Sequence, residues 1–211
     1  MLECIAYLTM IIDHIGLVFF PNNLDMRIVG RLAFPIFLYM AALGLNRTSD
    51  KGKYLKRIFL IAVLSQFPYA KIHWYQRLPD LNICYTLLLI LAIMINLKAG
   101  QYTYAVLGVL AGWLTGVEYG ICGVLCGVVV MHDGFRAWER IALITILLVA
   151  MCIQMGNPIE LAAIPVFVLL EVFRGDLIKD RFTLPRLLKY AIYPAHLIII
   201  SIIRELIIAL A

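Results

Sequence analysis

Asp13 and His14 stand side by side in "MIIDHIGLVFF", a run whose other residues belong in oil. Further polar groups sit in apolar stretches of the same kind: Arg31 in "GRLAFPIF", Asn82 and Thr86 in "DLNICYTLLL", and His196 in "YPAHLIII". Ionisable side chains are costly in hydrocarbon, so residues placed this way mark a polar cavity or a pathway. A histidine with a cation and an amide nearby can take a proton from an incoming nucleophile, or carry an acyl group itself. Arg31 or Asn82 could then stabilise the oxyanion that acyl transfer generates. The same residue types also serve as stations in a proton-coupled transporter, and composition alone does not choose between the two. No Ser/His/Asp spacing and no zinc-type cysteine or histidine spacing is present, so no metal is expected.

The elements that must hold these groups are membrane helices. Across 211 residues, 64% are hydrophobic and 15% charged, and the mean hydropathy is +0.95, far outside the soluble norm. Apolar runs and their breakers predict an all-α, polytopic bundle in one domain, 1–211, with spans at 3–20, 28–46, 54–70, 82–98, 101–116, 119–132, 138–155, 159–173 and 190–210. The short pairs 101–116 with 119–132 and 138–155 with 159–173 could instead be re-entrant hairpins, so eight or ten spans remain open. The net charge of +5 does not point to nucleic acid, because the basic residues fall between apolar segments and form no continuous face. With nine spans and a cytoplasmic N-terminus, Arg47, Lys51, Lys53, Lys56, Arg57, Lys98, Arg136, Arg140, Arg174, Lys179, Arg181, Arg186 and Lys189 fall inside, against Arg27, Lys71 and Arg77 outside. That asymmetry is the one expected of cytoplasmic loops. Glu3 leads straight into a span that continues through Asp13 and His14, so the first helix is expected to stay in the mature protein rather than to be cleaved as a signal peptide.

Depth and helical geometry refine the roles. Asp13 and His14 lie about ten residues into the first span, on the order of 15 Å deep at 1.5 Å per residue. Neighbouring helical residues point about 100° apart, so Asp13 is not placed to orient His14. Arg31, in the next antiparallel helix, is the expected counter-ion for Asp13, which leaves His14 to face a cavity. The plainer alternative is a buried structural network of all three. Tyr193 and Pro194 are expected to break the last helix and open a polar entrance beside His196; the plainer role for His196 is a bond to a backbone carbonyl that Pro194 frees. His73 and His132 are assigned to water or an interface, and Trp74, Tyr75, Trp113 and Tyr119 to an outer aromatic belt. Cys4, Cys84, Cys122, Cys126 and Cys152 suit buried free thiols, and the glycines from Gly108 to Gly127 suit close helix packing.

"YLTMIIDHIGLVFFP", "RIVGRLAFPIFLYMAALGLNRT", "YLKRIFLIAVLSQFPYA", "LNICYTLLL", "YGICGVL" and "KYAIYPAHLIII" follow one another in an order that resembles the TraX family over nearly the whole chain. That resemblance implies an inner-membrane protein related to transmembrane acyltransferases, whose namesake N-acetylates the terminal amine of a conjugative pilin with acetyl-CoA as donor. It marks Asp13, His14, Arg31, Pro35, Asn82, Thr86, Tyr119, Gly120, Tyr193, Pro194 and His196 as motif positions. The expected assignment has His14 as base or acyl carrier, Asp13 and Arg31 as its support and Asn82 at the acyl oxygen. His196, Thr86, Tyr119 and Tyr193 are the substrate contacts, and Arg47, Lys53, Arg57, Lys179, Arg181 and Lys189 attract the phosphates of acetyl-CoA. The acceptor, a peptide, pilin or glycan, and association into a homo-oligomer stay open, as do a transporter or flippase and a non-catalytic surface-assembly factor.

Overall fold

The computed structural model describes residues 2–73, 81–174 and 184–210, apart from the Arg186 side chain. They form α1 (Leu2–Phe19), α2 (Leu24–Gly30), α3 (Ala33–Arg47), α4 (Lys51–Ile72), α5 (Ile83–Lys98), α6 (Tyr102–Leu114), α7 (Gly120–Met131), α8 (Ala137–Met155), a 3-10 helix (Pro158–Ala163), α9 (Ile164–Val172) and α10 (Arg186–Leu210). Among the described residues the only strand-type pairing is a single bridge between Leu81 and Val117. The protein is an all-helical membrane protein: α1, α2 with α3, α8 and α10 are each long and apolar enough to cross a bilayer. Phe59, Leu60, Val63, Leu64 and Phe67 of α4, with Ile198, Ile199, Ile202 and Ile203 of α10, lie exposed. So broad an apolar perimeter suits lipid rather than water.

Two ends of the bundle are distinct. At the first, which we call the basic end, Lys189 pairs with Glu3, Lys98 Nζ reaches Asn46 Oδ1 at 3.3 Å and Asp133 Oδ2 at 3.5 Å, and Arg140 meets Glu171 at 2.5 Å. This joins the start of α1, α8 and α10 to the end of α3, α5, α7 and α9. At the opposite end Arg204 donates to the Lys71 carbonyl at 3.2 Å, and Leu81 exchanges backbone bonds with Gly116 and Glu118 at 2.9 and 2.8 Å. Those last bonds satisfy irregular backbone inside protein, which lipid would not tolerate unpaired.

Local chemistry explains where the helices start and stop. Asn23, Asp50, Asn82 and Asn157 each cap a helix with a side-chain oxygen that accepts a backbone N–H, as short polar residues do at N-termini. The second span is longer than 28–46 and is not continuous: α2 and α3 part at Arg31 and Leu32. Pro35 accounts for the break, because its ring crowds the carbonyl four residues back, at Arg31, and offers it no N–H. In the last span the expected break is absent, and α10 runs through Pro194. The 159–173 span is likewise subdivided, into the 3-10 helix and α9.

Small residues set how close the helices come. A Cβ on Gly16 would stand 2.8 Å from the Met26 Cβ, and one on Gly30 would overlap the Asp13 carboxylate. Gly108 meets Ile93 and Gly112 meets Val124 in the same way, holding α6 against α5 and α7. Buried residues of α3, α5, α7, α8 and α9 form one apolar core, and α1, α4, α5 and α10 enclose a second around Tyr69, Cys84 and Tyr193. Cys84, Cys122, Cys126 and Cys152 are free and buried, whereas Cys4 is exposed, contrary to the expectation from sequence.

Candidate functional site

Asp13 and His14 leave α1 in different directions, as helical geometry requires. Asp13 joins an ion network: Arg31 Nη2 reaches its two carboxylate oxygens at 2.9 and 2.8 Å, and Arg27 Nη1 lies 2.8 Å from Oδ1. Arg31 turns its other terminal nitrogen to Glu160 Oε1 at 2.6 Å and to the Tyr119 hydroxyl at 3.2 Å. The break between α2 and α3 is what lets one side chain reach α1, the 3-10 helix and the start of α7. Two carboxylates and two guanidinium groups balance, which is what permits their burial. Sequence reasoning anticipated the Asp13–Arg31 contact and missed Arg27 and Glu160; the signal was a lone glutamate in the apolar run "NPIELAAIPVF".

His14 faces the other way and meets His196 across 3.1 Å, Nδ1 to Nε2. Hydrogen-bond logic assigns the protons. His196 Nδ1 lies 2.9 Å from the Ile192 carbonyl, which can only accept, so that nitrogen carries the hydrogen. In a neutral ring Nε2 of His196 then accepts, and His14 Nδ1 donates. His14 Nε2 is left with an in-plane lone pair. The bond from His196 to a carbonyl is thus present, but to that of Ile192 rather than to one Pro194 frees. His73, assigned to water or an interface, is buried instead: its ring lies 6.5 Å from that of His14 and 4.1 Å from that of Tyr69. Its Nδ1 is 3.0 Å from the Tyr69 carbonyl, and burial lowers its pKa from the ordinary histidine value. His132 remains exposed, at the end of α7.

Between the histidine pair and the basic end lies a cavity of about 670 Å³, within the range of small-molecule sites. Arg47, Lys53, Arg57 and Lys189 line its mouth, Tyr7, Phe37 and Tyr54 its walls, and Cys84 and Tyr193 its floor. Lys189 is held by Glu3 and Lys53 by Asp50 at 3.2 Å, while Arg57 forms no ion pair among the described residues. Lys179 and Arg181 lie outside the described residues, as do Trp74 and Tyr75. The Tyr193 ring stands 5.5 Å from that of His196, so the cavity floor abuts the histidine pair.

Two expected contacts take a different form. Asn82 cannot offer a donor to an acyl oxygen, because its amide nitrogen is bound to the Ala62 carbonyl and Gln66 at 2.8 Å each, and its oxygen caps Cys84 N at 3.0 Å. Thr86 donates to the Glu118 carbonyl at 2.8 Å, so it secures the loop before Tyr119 rather than lining the cavity. Tyr119 stacks on Phe34 at 4.3 Å and takes a left-handed backbone, φ 64°. Glu118, in the loop joining α6 to α7 and outside either helix, escaped sequence reasoning. Burial pushes its pKa up to about 7, with Arg31 opposing. Away from this region a separate buried cluster, Tyr39, Arg140 and Glu171, ties α3, α8 and α9 at the basic end. Among the described residues no group of histidine, cysteine and acidic side chains is arranged to hold a metal.

Comparison with known proteins adds an independent line. A family profile described as "TraX protein" matches residues 1–204. Over 157 residues the chain is 30% identical to "Protein TraX" of Escherichia coli, covering 70% of this chain and 61% of that one. The counterpart from strain K12 aligns with the same figures. A 66-residue stretch is 39% identical to "Uncharacterized protein RP591" of Rickettsia prowazekii (strain Madrid E), covering 31% of this chain and 25% of the other. The chain therefore spans less than two thirds of the length of the TraX proteins it matches. No solved structure matches it.

Proposed function

Because this chain belongs to the TraX family, we propose that it is a multi-pass acetyltransferase of the bacterial cytoplasmic membrane. It moves an acetyl group from acetyl-CoA on the cytoplasmic side to an amine or hydroxyl of a peptide, pilin or glycan acceptor. In this reading the helices cross the membrane nine times, with α2 and α3 forming one crossing. The N-terminus and the basic end face the cytoplasm, in keeping with the distribution of lysine and arginine.

One observation carries the proposal: a single cavity has basic side chains at its mouth and the His14–His196 pair just beyond its floor. Arg47, Lys53, Arg57 and Lys189 suit phosphate groups, and the aromatic and aliphatic walls suit an uncharged, extended chain. Acetyl-CoA supplies an acetyl group activated as a thioester. The protein's part is to orient it, exclude water and hold a proton. His14 Nε2 is the group to do so: it takes the proton of the attacking acceptor, or takes the acetyl group itself. His196 fixes the ring that presents this lone pair.

The test uses the full chain in lipid vesicles with acetyl-CoA and an apolar peptide bearing a free terminal amine, read by the mass of one added acetyl group. Wild-type protein is expected to acetylate the peptide, and the folded fraction of His14→Ala to fall to background. Near-normal transfer by His14→Ala would remove His14 from the mechanism. Solute flux driven by a proton gradient without acetyl-CoA would favour a transporter instead.

A further inference from the structure

Tyr193 poses a question that the ion network and the histidine pair leave open. The residue is 5% exposed, and its hydroxyl is buried with no hydrogen-bond partner among the described residues. Such groups are rare, because a buried hydroxyl left unpaired costs on the order of 1–3 kcal/mol. Ser65 is the other buried hydroxyl in this position, but it does not line the cavity, whereas Tyr193 forms part of the cavity floor. An orphaned donor at the end of a cavity is unsatisfied only until something enters.

Its surroundings limit what that something can be. Tyr193 lies within electrostatic reach of Cys84 and Glu118, yet bonds to neither. Its ring packs beside His196, which in turn holds His14. A group reaching the floor from the basic mouth therefore meets a hydroxyl donor whose ring packs against the histidine pair. Asn82, the residue expected to contact an acyl oxygen, has both amide hydrogens engaged, and Arg31 is committed to Asp13 and Glu160. Among the described residues, the Tyr193 hydroxyl is a buried, uncommitted donor at the cavity floor.

We propose that the Tyr193 hydroxyl is a catalytic residue of the acyl transfer, donating a hydrogen bond to the acyl carbonyl oxygen as charge gathers there. This rests on the acetyltransferase reading. As the acceptor nitrogen or oxygen forms its bond to the carbonyl carbon, the C=O π pair moves onto oxygen, and the acceptor proton passes to His14 Nε2. The pair then returns, the C–S bond breaks and sulfur departs with its electrons, taking the proton back from His14. Tyr193 keeps its own proton throughout. A donor fixed before the reaction in a sheltered site favours the charged state over the neutral thioester, so its effect falls on the chemical step.

Tyr193→Phe removes the hydroxyl and little else, which gives the inference a signature that a structural role would not produce. In the same vesicle assay the variant's kcat should fall roughly 100- to 1000-fold, as when an oxyanion donor is lost, with the KM for acetyl-CoA unchanged. Its thermal midpoint should equal or exceed that of the wild type, because an unpaired buried hydroxyl is gone. A kcat equal to wild type overturns the inference and leaves the acetyltransferase reading standing. A change confined to KM assigns the hydroxyl to ground-state binding and overturns it as well. A lowered midpoint means that the hydroxyl has a structural partner, which overturns it too. Wild-type protein that neither binds nor uses acetyl-CoA overturns the acetyltransferase reading itself.

Discussion

Replacing Arg31 by methionine tests whether the ion network is a unit. The Arg31 side chain is 6% exposed, Glu160 2% and Asp13 15%, so the charges left behind would be desolvated. They are not equally stranded. Asp13 keeps Arg27 at 2.8 Å, whereas Glu160 has no other ion pair among the described residues. One orphaned buried charge, not two, sets the magnitude at about 3–5 kcal/mol. For a chain of this size each kcal/mol moves the thermal midpoint by about 2–4 °C, giving a loss of roughly 6–20 °C. The assay is the fraction of detergent-solubilised protein that stays monodisperse after heating. Adding Glu160→Met should restore most of the loss, since replacing a buried pair by apolar groups is often neutral while breaking it is not. A wild-type midpoint for Arg31→Met, or a double variant less stable than the single one, refutes the network as described.

Asn82→Ala should lower the midpoint by an amount equivalent to about 1–3 kcal/mol, because it removes a helix cap and leaves the Ala62 carbonyl and Gln66 without their donor; thermal scans check this, and any acetyltransferase activity of the surviving folded fraction should be close to wild type. Glu118 makes stability depend on pH in a known direction: its pKa is raised from 4.5 to about 7, so its contribution is fully present below pH 4.5 and is lost as pH rises through about 7. The midpoint of the wild type minus that of Glu118→Gln should therefore fall between those limits, and a difference that is flat or rises with pH contradicts the burial of this carboxyl group.

How much of this was legible in the sequence differs from residue to residue. The Asp13–Arg31 contact could be read because the two are opposite charges on consecutive antiparallel helices, and connections between neighbours are short. The His14–His196 contact could not, because 182 positions separate them and hydropathy says nothing about which helices pack together. Asn82 carried a cap signature, a short amide just before an apolar run, yet its polarity at depth suggested chemistry. Glu160 and Glu118 escaped notice because they lie at the rims of apolar segments, where a carboxylate passes for a solvated end. Pro35 and Pro194 show a subtler limit: each removes one N–H, but Pro35 coincides with a break and Pro194 does not. The difference lies in the surroundings, since neighbouring helices can re-satisfy a freed carbonyl in a membrane protein.

The two faces of α1 do different work because lipid gives helices no hydrophobic reason to associate. Something polar must fasten α1 to the rest of the bundle at depth. On one face Asp13 does so with two arginines and Glu160, a set whose formal charges cancel. On the other, the histidine pair joins α1 to α10 through one neutral hydrogen bond and keeps a nitrogen lone pair unspent. Were Asp13 bonded to His14 Nδ1 instead, Arg27 would lose its counter-ion, Arg31 one of its two and His196 its donor. The roughly 100° between consecutive helical residues therefore lets one dipeptide both fasten the helix and present a reactive group, with neither task consuming the other's partner.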